Sequence, residues 1–138
     1  MPRLASFNLF WFPQDETPQN QRTPQDHALI GAVLASLDAH VVFFQEILDT
    51  AALQQTLATH LPGRYRVVEG TPPADLGDMR VVAAIDESVF QLVSARSLRP
   101  DVYPEGMKAS RPPLVLHLKD VATGKTFSAV GVHLKSWY

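Results

Sequence analysis

The 138-residue sequence predicts an α/β fold, one mixed sheet with two helices on one face. Three observations carry that prediction. Apolar runs of strand length alternate with two segments of helical periodicity in the first half, in the order βαβαβ. From Arg80 onward the pattern is strand only, punctuated by turn residues. The run Val41-Val42-Phe43-Phe44 places β-formers on both faces of one strand, as in a sheet that is covered on both sides.

Each element has its own signature. Leu4 to Phe10 reads as a buried strand in which Asn8 is the polar exception. Pro13 to Pro24 is a loop rich in Gln, Pro and acid. Thr23 then suits an N-cap and Pro24 the first helical position, with a helix to about Leu37 and Leu29, Ile30, Val33, Leu34 and Leu37 on its apolar face. His40 to Gln45 forms the second strand. Asp49 or Thr50 caps a second helix that turns Leu53, Leu57 and Leu61 inward and stops at Pro62-Gly63. Arg64 to Val68 is a third strand, followed by a Gly/Pro/Asp loop from Gly70 to Asp78. The remaining strands are Arg80 to Ile85, Val89 to Val93, Pro113 to Lys119 and Lys125 to Leu134, the last two joined by a turn at Ala122-Thr123-Gly124. The two helices cover one side of such a sheet and nothing further covers the other, although its strands are apolar on both faces. A second layer is expected to be missing.

Composition narrows the function classes. With 46% apolar and 19% charged residues the chain is neither disordered nor fibrous, and its length suits a single domain over residues 1–138. The absence of cysteine removes disulfides, thiolate metal sites and cysteine nucleophiles. A net charge of −2 argues against broad, sequence-independent coating of nucleic acid, which needs a basic face, but is compatible with an enzyme that neutralises phosphate through a metal ion. No apolar run approaches the ~20 residues of a membrane span. Met1-Pro2-Arg3 leads directly into strand-like sequence without an apolar leader, which predicts a cytoplasmic protein, although a trimmed secreted form would read the same.

Three short segments carry chemistry. A doubly buried strand that ends in Gln45-Glu46 delivers a carboxylate at the C-terminal edge of the sheet, where ligands collect in open α/β folds. Asn8 interrupts its own apolar strand near the same relative position. An amide oxygen and a carboxylate are hard ligands suited to Mg²⁺, Mn²⁺ or Ca²⁺. The same residues also suit a Glu46 that caps a strand or faces solvent and an Asn8 bonded to backbone. In Gly131-Val132-His133-Leu134-Lys135-Ser136, His133 is placed to donate to a phosphate oxygen or to transfer a proton, or else to be satisfied by backbone at a strand end. Arg111, held before a strand by Pro112-Pro113, has a fork suited to phosphate, and also reads as a solvated loop charge; Arg80 has the same two readings. His27, His40, His60 and His117 show no metal-ligand spacing and read as structural.

Taken together and in this order, Phe7-Asn8, Phe44-Gln45-Glu46, the Arg80 strand, Arg111-Pro112-Pro113-Leu114 and Val132-His133-Leu134-Lys135-Ser136 resemble the endonuclease/exonuclease/phosphatase, or DNase I-like, superfamily, over about Leu4 to Ser136. The resemblance implies half of a four-layer α/β/β/α sandwich and a metal-dependent phosphoester hydrolase, a nuclease or a phosphodiesterase/phosphatase. By position, Glu46 matches the metal-ligating glutamate and Asn8 the asparagine that helps hold metal and phosphate. His133 matches a phosphate-contacting histidine, and Arg111 a phosphate-contacting arginine of some nuclease branches. Mg²⁺ or Mn²⁺ is the implied cofactor, and a phosphoester, nucleic acid included, the implied substrate. Met79 stands where some nucleases carry an acid. The superfamily's Gly-Asp-x-Asn and Ser-Asp-His segments have no counterpart here, so the sequence resembles the first half alone. That implies little activity by itself, since catalytic residues act as a unit. The alternative is a non-catalytic half-domain whose exposed sheet face pairs with a second copy, as a homodimer, or with a partner chain. A third reading is an unrelated α/β domain, in which Asn8, Glu46 and His133 would lie apart.

Overall fold

The computed structural model describes residues 1–14, 21–70, 79–98 and 112–133. Along them run β1 (Leu4–Phe12), α1 (Pro24–Leu37), β2 (Val41–Ile47), α2 (Thr50–His60), β3 (Tyr65–Glu69), β4 (Arg80–Asp86), β5 (Phe90–Ser97), β6 (Leu114–Asp120) and β7 (Thr126–Gly131). Each predicted helix and strand has a counterpart, but the last strand ends at Gly131, and the Leu134 expected to close it lies outside the described residues.

Both helices start where their capping residues dictate. The Thr23 side chain accepts from the amide of Asp26 while Asp26 accepts from the amide and hydroxyl of Thr23, a reciprocal box around Pro24 at the first turn. Asp49 accepts from the amides of Ala51 and Ala52 to open α2. The inward face of α1 is narrower than the sequence implies. Ile30, Gly31 and Leu34 are buried, whereas Leu29, Val33 and Leu37 form a second, exposed stripe. Five apolar residues span more arc than one helix–sheet contact covers, so only the stripe facing the sheet and α2 is buried.

The strands divide into two sheets, which corrects the expectation of one mixed sheet with a bare face. The first has the order β1-β2-β4-β3, with β1 and β2 parallel and the other pairs antiparallel. The second is the antiparallel meander β5-β6-β7. One face of the first sheet packs on α1 and α2 through Val42, Phe44, Ile47, Val82 and Ala84 with Leu34 and Leu53. The opposite face packs on the second sheet through Val41, Phe43, Val81, Ala83 and Ile85 against Phe90, Leu114, Leu116 and Leu118. The missing layer is therefore supplied by the meander itself. That explains the burial along β2: Val42 and Phe44 meet helices, and Val41 and Phe43 meet strands. The uncovered sheet face is displaced one layer outward, where Val93 and Val130 remain 53% and 50% exposed.

One contact sets how closely the two sheets approach. A Cβ at Gly131 would lie 2.2 Å from a ring carbon of Phe43, so the end of β7 rests directly on the aromatic face of β2. Only a glycine permits that approach.

Candidate active site at the sheet edge

The site is built on a break in two ladders. β1 and β2 pair in register from Leu4↔Val41 to Asn8↔Gln45 and resume at Phe12↔Ile47, so Leu9, Phe10 and Trp11 stand opposite Glu46 alone. β2 and β4 slip at the same place, between Phe44↔Val82 and Ile47↔Arg80. The bulge shifts the side-chain phase, which is why Ile47 shares a core with Val42 and Phe44. It is accommodated by left-handed backbone at three non-glycine residues: Phe10 (φ 45°), Trp11 (φ 60°) and Glu46 (φ 61°). Each costs on the order of 1–3 kcal/mol, and such conformations concentrate at functional sites.

The distortion turns Glu46 toward Asn8 and His133. Asn8 Nδ2 donates to Glu46 Oε1 at 3.1 Å, and Asn8 Oδ1 accepts from the Phe10 amide at 2.8 Å, which fixes which end of the amide faces the carboxylate. His133, two residues beyond β7, places Nε2 3.3 Å from the same Oε1. The Glu46 and His133 side chains are 11% and 13% exposed. Three strand ends from two sheets thus converge on one carboxylate, contrary to what an unrelated domain would show. Gln45, beside Glu46, faces the other way and donates to the Ser6 hydroxyl at 2.8 Å, tying β2 to β1.

The other candidates fall out differently. Arg111 lies outside the described residues. Arg80 begins β4 at this end of the sheet and pairs with Glu69 at 3.2 Å. Three of the other histidines hydrogen-bond locally: His27 with Thr56, His40 with the Arg3 amide and His117 with Ser128. The fourth, His60, packs on Gly31. A cleft of about 540 Å³ lies at the opposite end of the sheet, beside Asp38, His40, Arg64 and Asp86. There Arg64 bridges Asp38 and Asp86 and lies over the Tyr65 ring, so its charges are internally paired. Burial raises the Tyr65 phenol above its ordinary value.

Sequence reasoning missed Gly131 as a determinant of the site. Its signal was a glycine two positions before His133 in a strand otherwise rich in β-formers, the mark of a close backbone approach.

The ligand candidate is the Glu46 carboxylate, beside one imidazole and with no thiolate; the Asn8 oxygen expected as a second ligand accepts from the Phe10 amide, and Nδ2 is the end that faces Glu46. Among the described residues no group of three or more His, Asp or Glu comes together. This set suits a hard divalent ion held through one carboxylate and otherwise by water.

No protein-family model and no curated protein matches the chain. Solved structures do. A Bacteroides vulgatus endonuclease/exonuclease/phosphatase aligns with a TM-score of 0.64 and 18% identity, over 94% of this chain and 51% of its own. D. rerio TDP2, solved with a single-strand DNA product, aligns at 0.68 and 20% identity, over 99% and 47%. A Bacteroides thetaiotaomicron mannosyl-6-phosphatase aligns at 0.66 and 20% identity, over 94% and 50%. The chain has the endonuclease/exonuclease/phosphatase fold. It spans about half the length of the solved structures it matches.

Proposed function

We propose that this chain supplies one half of the active site of a metal-dependent phosphoester hydrolase, as a single domain whose activity is completed by a further half. The observation that carries the reading is the convergence of Asn8, Glu46 and His133 on one strained sheet edge. The fold supports it, since the similar solved structures include a phosphatase and a protein solved with a DNA product. The substrate class is a phosphoester, with nucleic acid, nucleotide and phosphorylated small molecules all within it.

In this mechanism Glu46 holds Mg²⁺ or Mn²⁺, and Asn8 orients the carboxylate through its Nδ2 contact. When bound, the ion polarises the phosphoryl oxygen and steadies the leaving oxygen. His133 donates a hydrogen bond to a phosphate oxygen, a task suited to an imidazole that is mostly withdrawn from water. Arg111 lies outside the described residues, and its phosphate contact is assigned by the resemblance alone. The strained bulge keeps Glu46 and Asn8 in place before the ion arrives, so little reorganisation accompanies binding.

Mn²⁺ titration followed by electron paramagnetic resonance tests the reading on the 138-residue chain. One weak site is expected, abolished in Glu46→Gln. In a completed enzyme, Glu46→Ala is expected to lower metal-dependent hydrolysis of bis(p-nitrophenyl) phosphate by roughly 100-fold or more. Retained binding and activity in these variants would refute the assignment of Glu46.

A further inference from the structure

Arg22 stands outside every motif described above, one residue before the capped start of α1, yet its guanidinium reaches the bulge on which the site is built. Its Nη2 donates to the carbonyl of Leu9 and, at 2.9 Å, to that of Phe10. These two carbonyls belong to the stretch of β1 that has no ladder partner in β2, between Asn8↔Gln45 and Phe12↔Ile47. Backbone acceptors stripped of a ladder require another donor, and a charged one binds them more tightly than a neutral one. The arginine is itself held. Its amide donates to Pro13 O at 3.1 Å, Gln14 bridges Gln21, and the Thr23–Asp26 box fixes the next turn of chain. A continuous series of contacts therefore runs from the α1 N-terminus through the Arg22 guanidinium to the left-handed Phe10. From the Phe10 amide it passes to Asn8 Oδ1, and from Asn8 Nδ2 to Glu46.

We infer that Arg22 is a positioning residue for the Asn8–Glu46 pair, acting by clamping the Leu9 and Phe10 carbonyls and so fixing the amide that orients Asn8. It touches neither Asn8 nor Glu46 through its side-chain bonds; its effect is transmitted by the shape of the bulge. The inference deepens the proposed function, and its consequence for metal affinity rests on that reading.

The deciding readout is the side-chain amide resonance pair of Asn8 in a ¹H–¹⁵N spectrum, identified by its absence in Asn8→Asp. In the native chain this pair is expected to be displaced from the positions of a free carboxamide and slow to exchange, because one hydrogen is held by Glu46. Arg22→Gln is expected to move the pair to free-carboxamide positions and to accelerate its exchange, with Arg22→Lys intermediate. Arg64→Gln, which breaks ion pairs at the opposite end of the sheet, is expected to lower Tm without moving it. If Arg22→Gln does not fold, Arg22→Lys decides. An Asn8 pair unmoved in the folded variant, or moved equally by Arg64→Gln, overturns the inference and leaves Arg22 with a purely structural role. Mn²⁺ affinity provides a second measure: Arg22→Gln is expected to weaken it roughly tenfold, the low end for residues that orient a ligand. A native chain that binds no Mn²⁺ would sink the proposed function, while the amide resonances would still decide the role of Arg22.

Discussion

Asn8, Glu46 and His133 are side chains whose positions the local sequence announced and whose contacts it did not. Polar residues at the tips of apolar strands are visible as interruptions of a pattern; that their tips meet within hydrogen-bond distance depends on the stacking of two sheets. Arg22 shows the converse. It sits in a Gln/Pro-rich loop where an arginine reads as solvated, and its acceptors are carbonyls, which every residue possesses and no sequence pattern marks. A prediction at this scale concerns Asp26. Hydrogen bonds from the Thr23 hydroxyl and amide hold its carboxyl below the ordinary value of 3.8. A carboxyl depressed in the folded state contributes stability above its unfolded pKa, and that contribution is lost as pH falls through the folded value. Asp26→Asn is therefore expected to lower Tm at neutral pH and to flatten the decline of Tm below about pH 3.8. Thermal melts between pH 5 and pH 2.5 measure both; an unchanged slope would remove the box from the acid response. Asp120, held down by the Thr123 amide in the β6–β7 turn, is expected to add a second, independent part of that slope.

Among elements, the end of β7 is the most exacting. Gly131 lies against the Phe43 ring, two residues before the His133 that meets Glu46. Gly131→Ala forces either the ring or the second sheet to move. Overpacking of this kind costs about 1–3 kcal/mol, which urea denaturation would read directly. The same variant is expected to separate His133 from Glu46, seen as loss of any shift in the His133 imidazole resonances between native protein and Glu46→Gln. A variant of native stability whose His133 still responds to Glu46 would show that β7 approaches β2 without needing a glycine. The β1–β2 bulge is the other exacting feature. Strand periodicity marked both strands, but the slip between Asn8 and Phe12 was not legible, because Leu9, Phe10, Trp11 and Phe12 form a continuous apolar run in which period two cannot be followed.

For the molecule as a whole, net charge and layering are the relevant quantities. Twelve Lys and Arg against fourteen Asp and Glu leave no excess of positive charge, and Arg3, Arg64, Arg66 and Arg80 are engaged with carboxylates. Non-specific affinity for a polyanion is thus expected to be weaker than roughly 10⁻⁴ M at physiological salt, the weak end for nucleic-acid-binding proteins. Fluorescence anisotropy with a random single-stranded oligonucleotide tests this; micromolar, salt-sensitive binding would point to a basic surface in segments beyond the described residues. Among the described residues no helix is long and apolar enough to cross a membrane.

The order of elements, the capped helix starts at Thr23 and Asp49, and the residue types at the site were determined by the sequence itself, because each rests on local chemistry: periodicity, capping and turn propensity within a few residues. Tertiary structure alone decided three things. It split the strands into two sheets that bury both faces of β2, chose which stripe of α1 turns inward, and broke the β1–β2 register so that Asn8, Glu46 and His133 meet. The reason is common to all three. Each depends on which surfaces compete for the same neighbour, and residues 38 and 87 positions apart, such as Asn8 with Glu46 and Glu46 with His133, carry no local mark of the contact they will make.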